Sequence, residues 1–454
     1  MSNGLYFRDL LHSIADRGRS LLGRGRPAAE DGPADLAALC DALLSRRGEA
    51  SGVALAGEVL ARYGALDETG RRGFLTLLAE RYGPDRAGLA KAVDAYRADG
   101  GDAAAAHLHR MAEPRRQELI RRLNLAPGGT ARLVAMRADA LRLQPAIPGF
   151  AALDADFTHL LSSWFNRGFL VLRRIDWTTP ANILEKIIRY EAVHAIRDWD
   201  DLRRRIEPAD RRCFAFFHPQ LVDEPLVFVE VALTSEIPDS IHALLAESRS
   251  PITAERATTA VFYSISNCQD GLRGISFGNF LIKQVVEELG RELPGLSTFV
   301  TLSPVPGFAR WLAGERKERP GALFAAEERR ALEALDAPGW PGDAERAQAL
   351  RPLLTAAAAH YLLRARTADG RPLDPVARFH LGNGARLERI NWLSDRSPKG
   401  LRQSHGLMVN YLYDPRHIER NHEALVEDGE VVASAAVRRL LRAEAAPGLP
   451  APAA

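Results

Sequence analysis

The chain has 454 residues, 46% hydrophobic and 26% charged, with a net charge of +2 from 60 basic and 58 acidic residues. That length exceeds one ordinary hydrophobic core, so two or more domains are expected, and the composition is that of a globular protein. The balanced charge removes the electrostatic case for nucleic acid, and no apolar run approaches the roughly 18–20 residues that span a bilayer.

Residues 1–34 are expected as a mobile lead-in, rich in Arg, Gly and Pro from residue 17 onward. Met1 to Ile14 lacks a signal-peptide core, and Asp9 and Asp16 argue against a mitochondrial presequence. Cys40, Cys213 and Cys268 are odd in number and widely spaced. This argues against a disulfide framework or a zinc site and for a reducing compartment. The expectation is the cytoplasm, with the mitochondrial matrix as the alternative.

From Asp35 to residue 167 the pattern is helical. Leu36, Leu39, Cys40 and Leu43 fall at i, i+3, i+4 and i+7, with Asp35 placed to cap and Gly48 past the end. Gly64 and Gly83 each close a similar segment as C-terminal caps. Two echoes do not make an array, so residues 35–167 are read as a helical bundle and not a solenoid.

The character changes after Gly168. Phe169 to Leu172 is β-like, Pro180 to Glu191 is helical, and Phe214 to Phe217 and Leu226 to Leu233 are strands by their β-branched and aromatic content. A helical insertion, Phe324 to Leu335 and Ala344 to Leu363, precedes a last motif-rich stretch over 374–413. The predicted fold class is α+β: an all-α bundle over 35–167, then an α/β domain with a mixed central sheet over 168–454.

Residues 257–308 hold the densest pattern: a β run, a Gly-bearing loop from Gln269 to Asn279, an amphipathic helix, then a second β run. Gly274, Ser276 and Gly278 alternate just before the helix. Small residues there let backbone amides approach a pyrophosphate, at the positive end of the helix; a plain turn is the alternative. Leu281, Val285, Leu289 and Leu293 form the helix stripe that packs on the sheet. The loop lacks Gly-Lys-Ser/Thr, so it is not a Walker A motif, and a Rossmann start is also disfavoured.

Ser303 lies in Leu302-Ser-Pro-Val-Pro-Gly-Phe308, where Pro304 forces an extended backbone at a strand's end. It is a candidate functional hydroxyl or a hydroxyl satisfying a turn, and the G-x-S-x-G elbow of an esterase is missing. His380 follows the helix start Asp374-Pro375 and precedes the stop Gly382-Asn-Gly384. Between Phe379 and Leu381 it is either a packed core residue or a catalyst. The histidines show no ligand spacing, so no metal is expected. Ser264 and Tyr413 are polar groups inside apolar strands and matter if a ligand crosses that sheet edge.

The strand–loop–helix–strand order resembles the coenzyme-A-binding half of GNAT-type N-acetyltransferases. More specifically, the chain resembles the malonyl-CoA decarboxylase family. The strings that carry this are Phe262 to Ser266, Gly274 to Lys283, Leu302 to Phe308, Phe379 to Ala385, Arg389 to Trp392 and Gly406 to Tyr411, in family order over roughly 155–415. The resemblance implies that Arg273, Gly274, Ile275, Ser276, Phe277, Gly278 and Asn279 line the site for a CoA thioester. It implies that Ser303 and His380 are the catalytic pair. It also implies decarboxylation of malonyl-CoA to acetyl-CoA and CO2, with dimers or tetramers formed through the helical domain. No metal, biotin or pyridoxal phosphate is expected, because the thioester carbonyl is the electron sink.

One departure is Ser276, where some family members carry Glu. If that Glu orients the catalytic groups, another group does so here, with Tyr413 and Ser264 as supporting candidates. Two rivals share the CoA loop: a GNAT-type acyltransferase, which needs an amine acceptor, and a non-catalytic CoA-ester sensor.

Overall fold

The computed structural model describes residues 33–45, 48–275, 281–317, 323–337 and 339–441. Residues 1–32 of the expected lead-in, and Ser276, Phe277, Gly278 and Asn279 of the expected CoA loop, lie outside the described residues. Two compact units divide the chain: residues 1–172 with 216–227 and 267–278, and residues 173–215 with 228–266 and 279–454.

The first unit is helical: α1 (Pro33–Leu44), α2 (Glu49–Ala65), α3 (Glu68–Arg81), α4 (Arg86–Asp99), α5 (Asp102–Ala112), α6 (Arg115–Asn124), α7 (Gly129–Leu143) and α8 (Phe150–Trp164). The expected stripe of α1 is the buried one, since Leu36, Leu39, Cys40 and Leu43 all enter the core. Asp35 does not cap it; the helix starts at Pro33, whose preset φ suits the first turn. Gly64 is likewise not a cap but lies inside α2, which runs to Ala65. Cys40, Cys213 and Cys268 are all buried. Burial, with the charge of Asp41, pushes the Cys40 thiol up to about 12, so it stays an inert core group.

The second unit holds an eight-stranded mixed sheet, apart from a few residues at the ends of its first four strands. Its strands are β1 (Val171–Ile175), β2 (Arg211–Phe217), β3 (Pro225–Thr234), β4 (Thr259–Asn267), β5 (Thr298–Thr301), β6 (Ser303–Pro304), β7 (Arg386–Asn391) and β8 (Met408–Leu412). The order is β1-β2-β3-β4-β5-β8-β6, with β7 on β8. Every residue of β2 is buried and β3 is buried up to its last residue. That explains why apolar and aromatic residues fill both faces of each strand, with buried Arg211, Arg212 and Glu230 the exceptions.

The helices of this unit include α9 (Ala181–Tyr190), α10 (Trp199–Ile206), α11 (Ile241–Leu245), α12 (Leu281–Glu292), α13 (Phe308–Glu315), α14 (Ala326–Leu332), α15 (Ala344–Leu363), α16 (Pro375–Gly382), α17 (Pro398–Ser404) and α18 (Ile418–Glu427). β4 and β5 pair in parallel, from Thr259 with Thr298 to Phe262 with Thr301, so the chain must cross over between them. α12 is part of that crossover and buries Leu281, Ile282, Val285, Val286 and Leu289. The strand–loop–helix–strand order expected over 257–308 is therefore present.

Beyond residue 301 the sheet parts. The Leu302 N–H still donates to the Phe262 carbonyl at 3.0 Å, but Ser303 and Pro304 turn away and pair with Val409 and Met408 of β8. Ser303 thus sits in a two-residue strand, and the end of β4 from Tyr263 onward runs past its register with β5. Tyr263 points into an apolar cluster with Val261, Val300, Leu302 and Met408. Alternation places Phe262, Ser264 and Ser266 on the opposite face.

Candidate active site

Three segments distant in sequence meet where the sheet parts. His380 lies on α16, whose start follows from Asp374 and Pro375: the Asp374 carboxylate accepts from the Val376 and Ala377 amides at 2.9 and 3.0 Å. Ala377, His380 and Leu381 form the buried side of this short helix. The other oxygen of Asp374 accepts from the Gly307 amide and from the Tyr361 hydroxyl, each at 3.3 Å. One carboxylate therefore caps the helix that carries His380 and ties down the Pro-rich loop that follows Ser303.

The result is a chain of hydrogen bonds. The Ser303 hydroxyl donates to Thr301 Oγ1 at 2.8 Å, and Ser303 Oγ lies 3.1 Å from His380 Nε2. His380 Nδ1 lies 2.8 Å from the Tyr413 hydroxyl. With the Ser303 proton committed to Thr301, the consistent tautomer has Nε2–H donating to Ser303 and Tyr413 donating to Nδ1. Burial holds the Tyr413 hydroxyl well above its ordinary range, so it stays a donor. Burial alone also pulls His380 down to about 3, so the ring is neutral at physiological pH.

Packing holds the ring in place. Tyr411 stacks on His380 with centroids 4.7 Å apart, and Phe262 meets Tyr413 edge-on at 6.4 Å. Thr301 Oγ1 also accepts from the Tyr411 amide at 3.1 Å. Asn410 Nδ2 donates to the Thr301 carbonyl at 2.7 Å, while its Oδ1 accepts from Asn391 at 2.8 Å and from Arg389 at 3.0 Å. Asn410 thereby fixes the end of β5 against β8.

Ser264 is not in this chain. Its hydroxyl lies 2.8 and 2.7 Å from the two carboxylate oxygens of Glu191. Glu191 follows α9, and its Oε1 also accepts from the Val193 and His194 amides at 2.8 Å each. Of the two supporting candidates, Tyr413 is the one that contacts His380.

In the first unit, the described part of the expected CoA loop is held by Arg137 of α7, a residue the local sequence does not mark. Its guanidinium donates to the Gly271 and Arg273 carbonyls at 2.8 and 2.9 Å and pairs with Asp154 at 2.8 Å. A Cβ on Gly271 would come within 1.9 Å of the Val134 carbonyl oxygen, so only Gly allows this approach. The Arg273 side chain is exposed and pairs with Asp270, Gly274 adopts φ +79°, and Ile275 is buried.

This constellation, a buried Ser–His–Tyr chain with no charged member beside a parting strand pair, coincides with two family matches. Residues 82–165 match the family described as Malonyl-CoA decarboxylase N-terminal domain, and residues 168–449 match Malonyl-CoA decarboxylase C-terminal domain. The chain belongs to the malonyl-CoA decarboxylase family.

A relative from Anser anser anser, named "Malonyl-CoA decarboxylase, mitochondrial", is 39% identical over 351 residues, 71% of this chain and 68% of the relative. A solved malonyl-CoA decarboxylase from Rhodopseudomonas palustris is 64% identical with TM-score 0.87, covering 90% of this chain and 99% of that one. One from Agrobacterium vitis is 61% identical with TM-score 0.86, covering 90% and 100%. The chain is accordingly an enzyme, a carboxy-lyase of the malonyl-CoA decarboxylase type, and the acyltransferase and sensor readings are not favoured. No described helix is long and apolar enough to cross a membrane.

Proposed function

We propose that the face of the sheet carrying Ser303, His380, Tyr413 and Ser264 converts malonyl-CoA to acetyl-CoA and CO2. The bond between the α-carbon and the carboxylate breaks, and its electron pair moves into the thioester as an enolate. The α-carbon then takes a proton. The thioester carbonyl accepts the electrons, so this route calls for no metal, biotin or pyridoxal phosphate. Backbone donors along the end of β4, between Phe262 and Ser266, hold the enolate oxygen. His380 supplies the proton from Nε2 while its Nδ1 takes the proton of Tyr413, which sets the tautomer; the enolate's negative charge ends on the Tyr413 oxygen until solvent returns a proton. Ser303 positions the acyl group, since its own proton is engaged by Thr301 and a neutral serine is a poor base. The loop from Arg273 to Asn279 takes the CoA pyrophosphate.

The observation that carries this reading is the buried hydrogen-bonded chain Ser303–His380–Tyr413, drawn from positions 77 and 33 residues apart. The test incubates the protein with malonyl-CoA alone, without metal, pyridoxal phosphate or amine. Formation of acetyl-CoA and CO2 by wild type and its loss in His380→Ala support the reading. Full turnover in both Ser303→Ala and His380→Ala would overturn the site.

Assembly and compartment belong to the same proposal. In the hairpin of α4 and α5, Ala92 is the sole fully buried residue, and Tyr96 is 41% exposed. That supports a homo-oligomer, dimer or tetramer, formed through the helical region, which sedimentation would test. The cytoplasm is the proposed location, with imaging of a tagged chain as the check.

A further inference from the structure

Glu191 is buried, and nothing in the reaction scheme above uses it. Its surroundings are unusual for a structural carboxylate. Five contacts converge on it: the amides of Val193 and His194, Ser264 Oγ at both oxygens, and Ser266 Oγ at 3.3 Å. Ser264 and Ser266 also lie 3.3 Å apart, and the Ala192 amide donates to Ser266. The loop that holds Glu191 is anchored from below: Lys399 donates to the Ala192 and Val193 carbonyls, and Arg205 to the His194 and Ala195 carbonyls. A carboxylate held this firmly cannot swing away from the serines it meets.

Those serines share a face of β4 with Phe262, which touches Tyr413, the partner of His380. Ser264 lies one side-chain repeat further along that face, about 6.6 Å by strand rise. It falls where β4 has lost its register with β5. Glu191 therefore acts on the same face as the His380 chain without belonging to it.

A serine hydroxyl has one proton and two lone pairs. With a carboxylate 2.7 to 2.8 Å from Ser264 Oγ, the proton is taken and the oxygen can offer only lone pairs elsewhere. Resting on the reaction proposed above, we infer that Glu191 is a positioning residue that acts through Ser264. It makes Ser264 an acceptor, which suits an amide N–H of the pantetheine arm and disfavours oxygen atoms of the acyl group. The nearby negative charge also repels the malonyl carboxylate, which is thereby directed toward the Ser303–His380 end. Glu191 thus selects the acyl orientation from which CO2 leaves.

Glu191→Gln tests this because it keeps size and most of the tether while reversing polarity: the carboxamide N–H donates to Ser264 and frees the serine proton. The measurements are kcat, KM and thermal unfolding for wild type, Glu191→Gln, Ser264→Ala and the double variant, with malonyl-CoA. The expected result is a fall in kcat of about tenfold in Glu191→Gln, the scale of one charge-assisted hydrogen bond, with a smaller change in KM. In the Ser264→Ala background the same change should cost less than about twofold, because the partner through which Glu191 acts is gone. Wild-type kcat in Glu191→Gln would overturn the inference. So would an equal loss in both backgrounds accompanied by equal drops in melting temperature, the signature of a purely structural tether. His380→Ala, run alongside, separates the two claims: its full turnover would sink the reaction site itself, whatever Glu191→Gln does.

Discussion

Two ends of one sheet face make an instructive pair. Around His380 the side chains are Ser303, Thr301, Tyr411 and Tyr413, and burial alone moves both the His380 and Tyr413 pKa values. Around Ser264 the partner is a carboxylate, with Arg205 and Lys399 bracing its loop. Behind it Glu230 is pushed up to about 8, first by burial and then by the charge of Glu191. One end carries no fixed charge at rest, so the negative charge of a protonated carbanion would pass to the His380–Tyr413 pair until solvent returns a proton. The other end holds fixed charge in a rigid loop, as orienting an anionic substrate requires. On the proposed mechanism, separating the tasks keeps the histidine neutral and the substrate carboxylate aimed.

The largest effect that would break this contrast is loss of the neutral end. His380→Ala should lower kcat by roughly three orders of magnitude, within the range of general acid–base catalysis, while CoA-ester affinity, read by calorimetry, stays close to wild type. Retained turnover would mean that the charged end carries the chemistry.

Acid stability sharpens the contrast next. The folded pKa of His380 lies below its unfolded value near 6.5, so the unfolded chain binds more protons and stability falls as pH drops. Between about pH 6.5 and pH 4 this group should account for a loss on the order of 3 kcal/mol. His380→Phe should therefore show a shallower fall in melting temperature over that window. Equal slopes in the two proteins would contradict the neutral, buried imidazole.

Gly307→Ala probes the link between the Ser303 loop and α16. The added Cβ would approach the Tyr361 hydroxyl to 2.2 Å, displacing a partner of Asp374. A cost of about 1–3 kcal/mol is expected from overpacking, read as a lower melting temperature together with a lower kcat. A fall in stability with kcat unchanged would show that the loop does not need this tie.

The smallest change is Tyr413→Phe, which removes one hydroxyl and keeps the edge contact with Phe262. It should reduce kcat by about tenfold, since a neutral hydrogen bond is worth roughly 1 kcal/mol and the tautomer is no longer enforced. Wild-type kcat would transfer the orienting role to Ser303 and Tyr411.

Much of the architecture was legible in the chain. Leu36, Leu39, Cys40 and Leu43 read as a buried helix stripe because helical period and hydrophobicity are local properties. Asp374-Pro375 marked the start of α16 because an N-cap needs only its own next few amides. Gly64 misled, since a helix tolerates a glycine one residue before its end and local chemistry does not choose between the two positions. Ser303 and His380 were visible only through family resemblance; alone, each also fits a satisfied turn or a packed core residue.

What the sequence by itself determined is element type and the order of helical and mixed α/β regions, which follow from local propensity and pattern. What only the tertiary structure decided is which groups meet. Glu191 ends an ordinary helix and gives no local signal, because Ser264 lies 73 residues away. Arg137 reads as one more surface arginine until Gly271 and Arg273 turn their carbonyls toward it. Tyr413, just past β8, gives no local sign of the imidazole 33 residues before it. Hydrogen-bond partnership and the pKa shifts that come with burial depend on distances across the fold, and no local pattern encodes them.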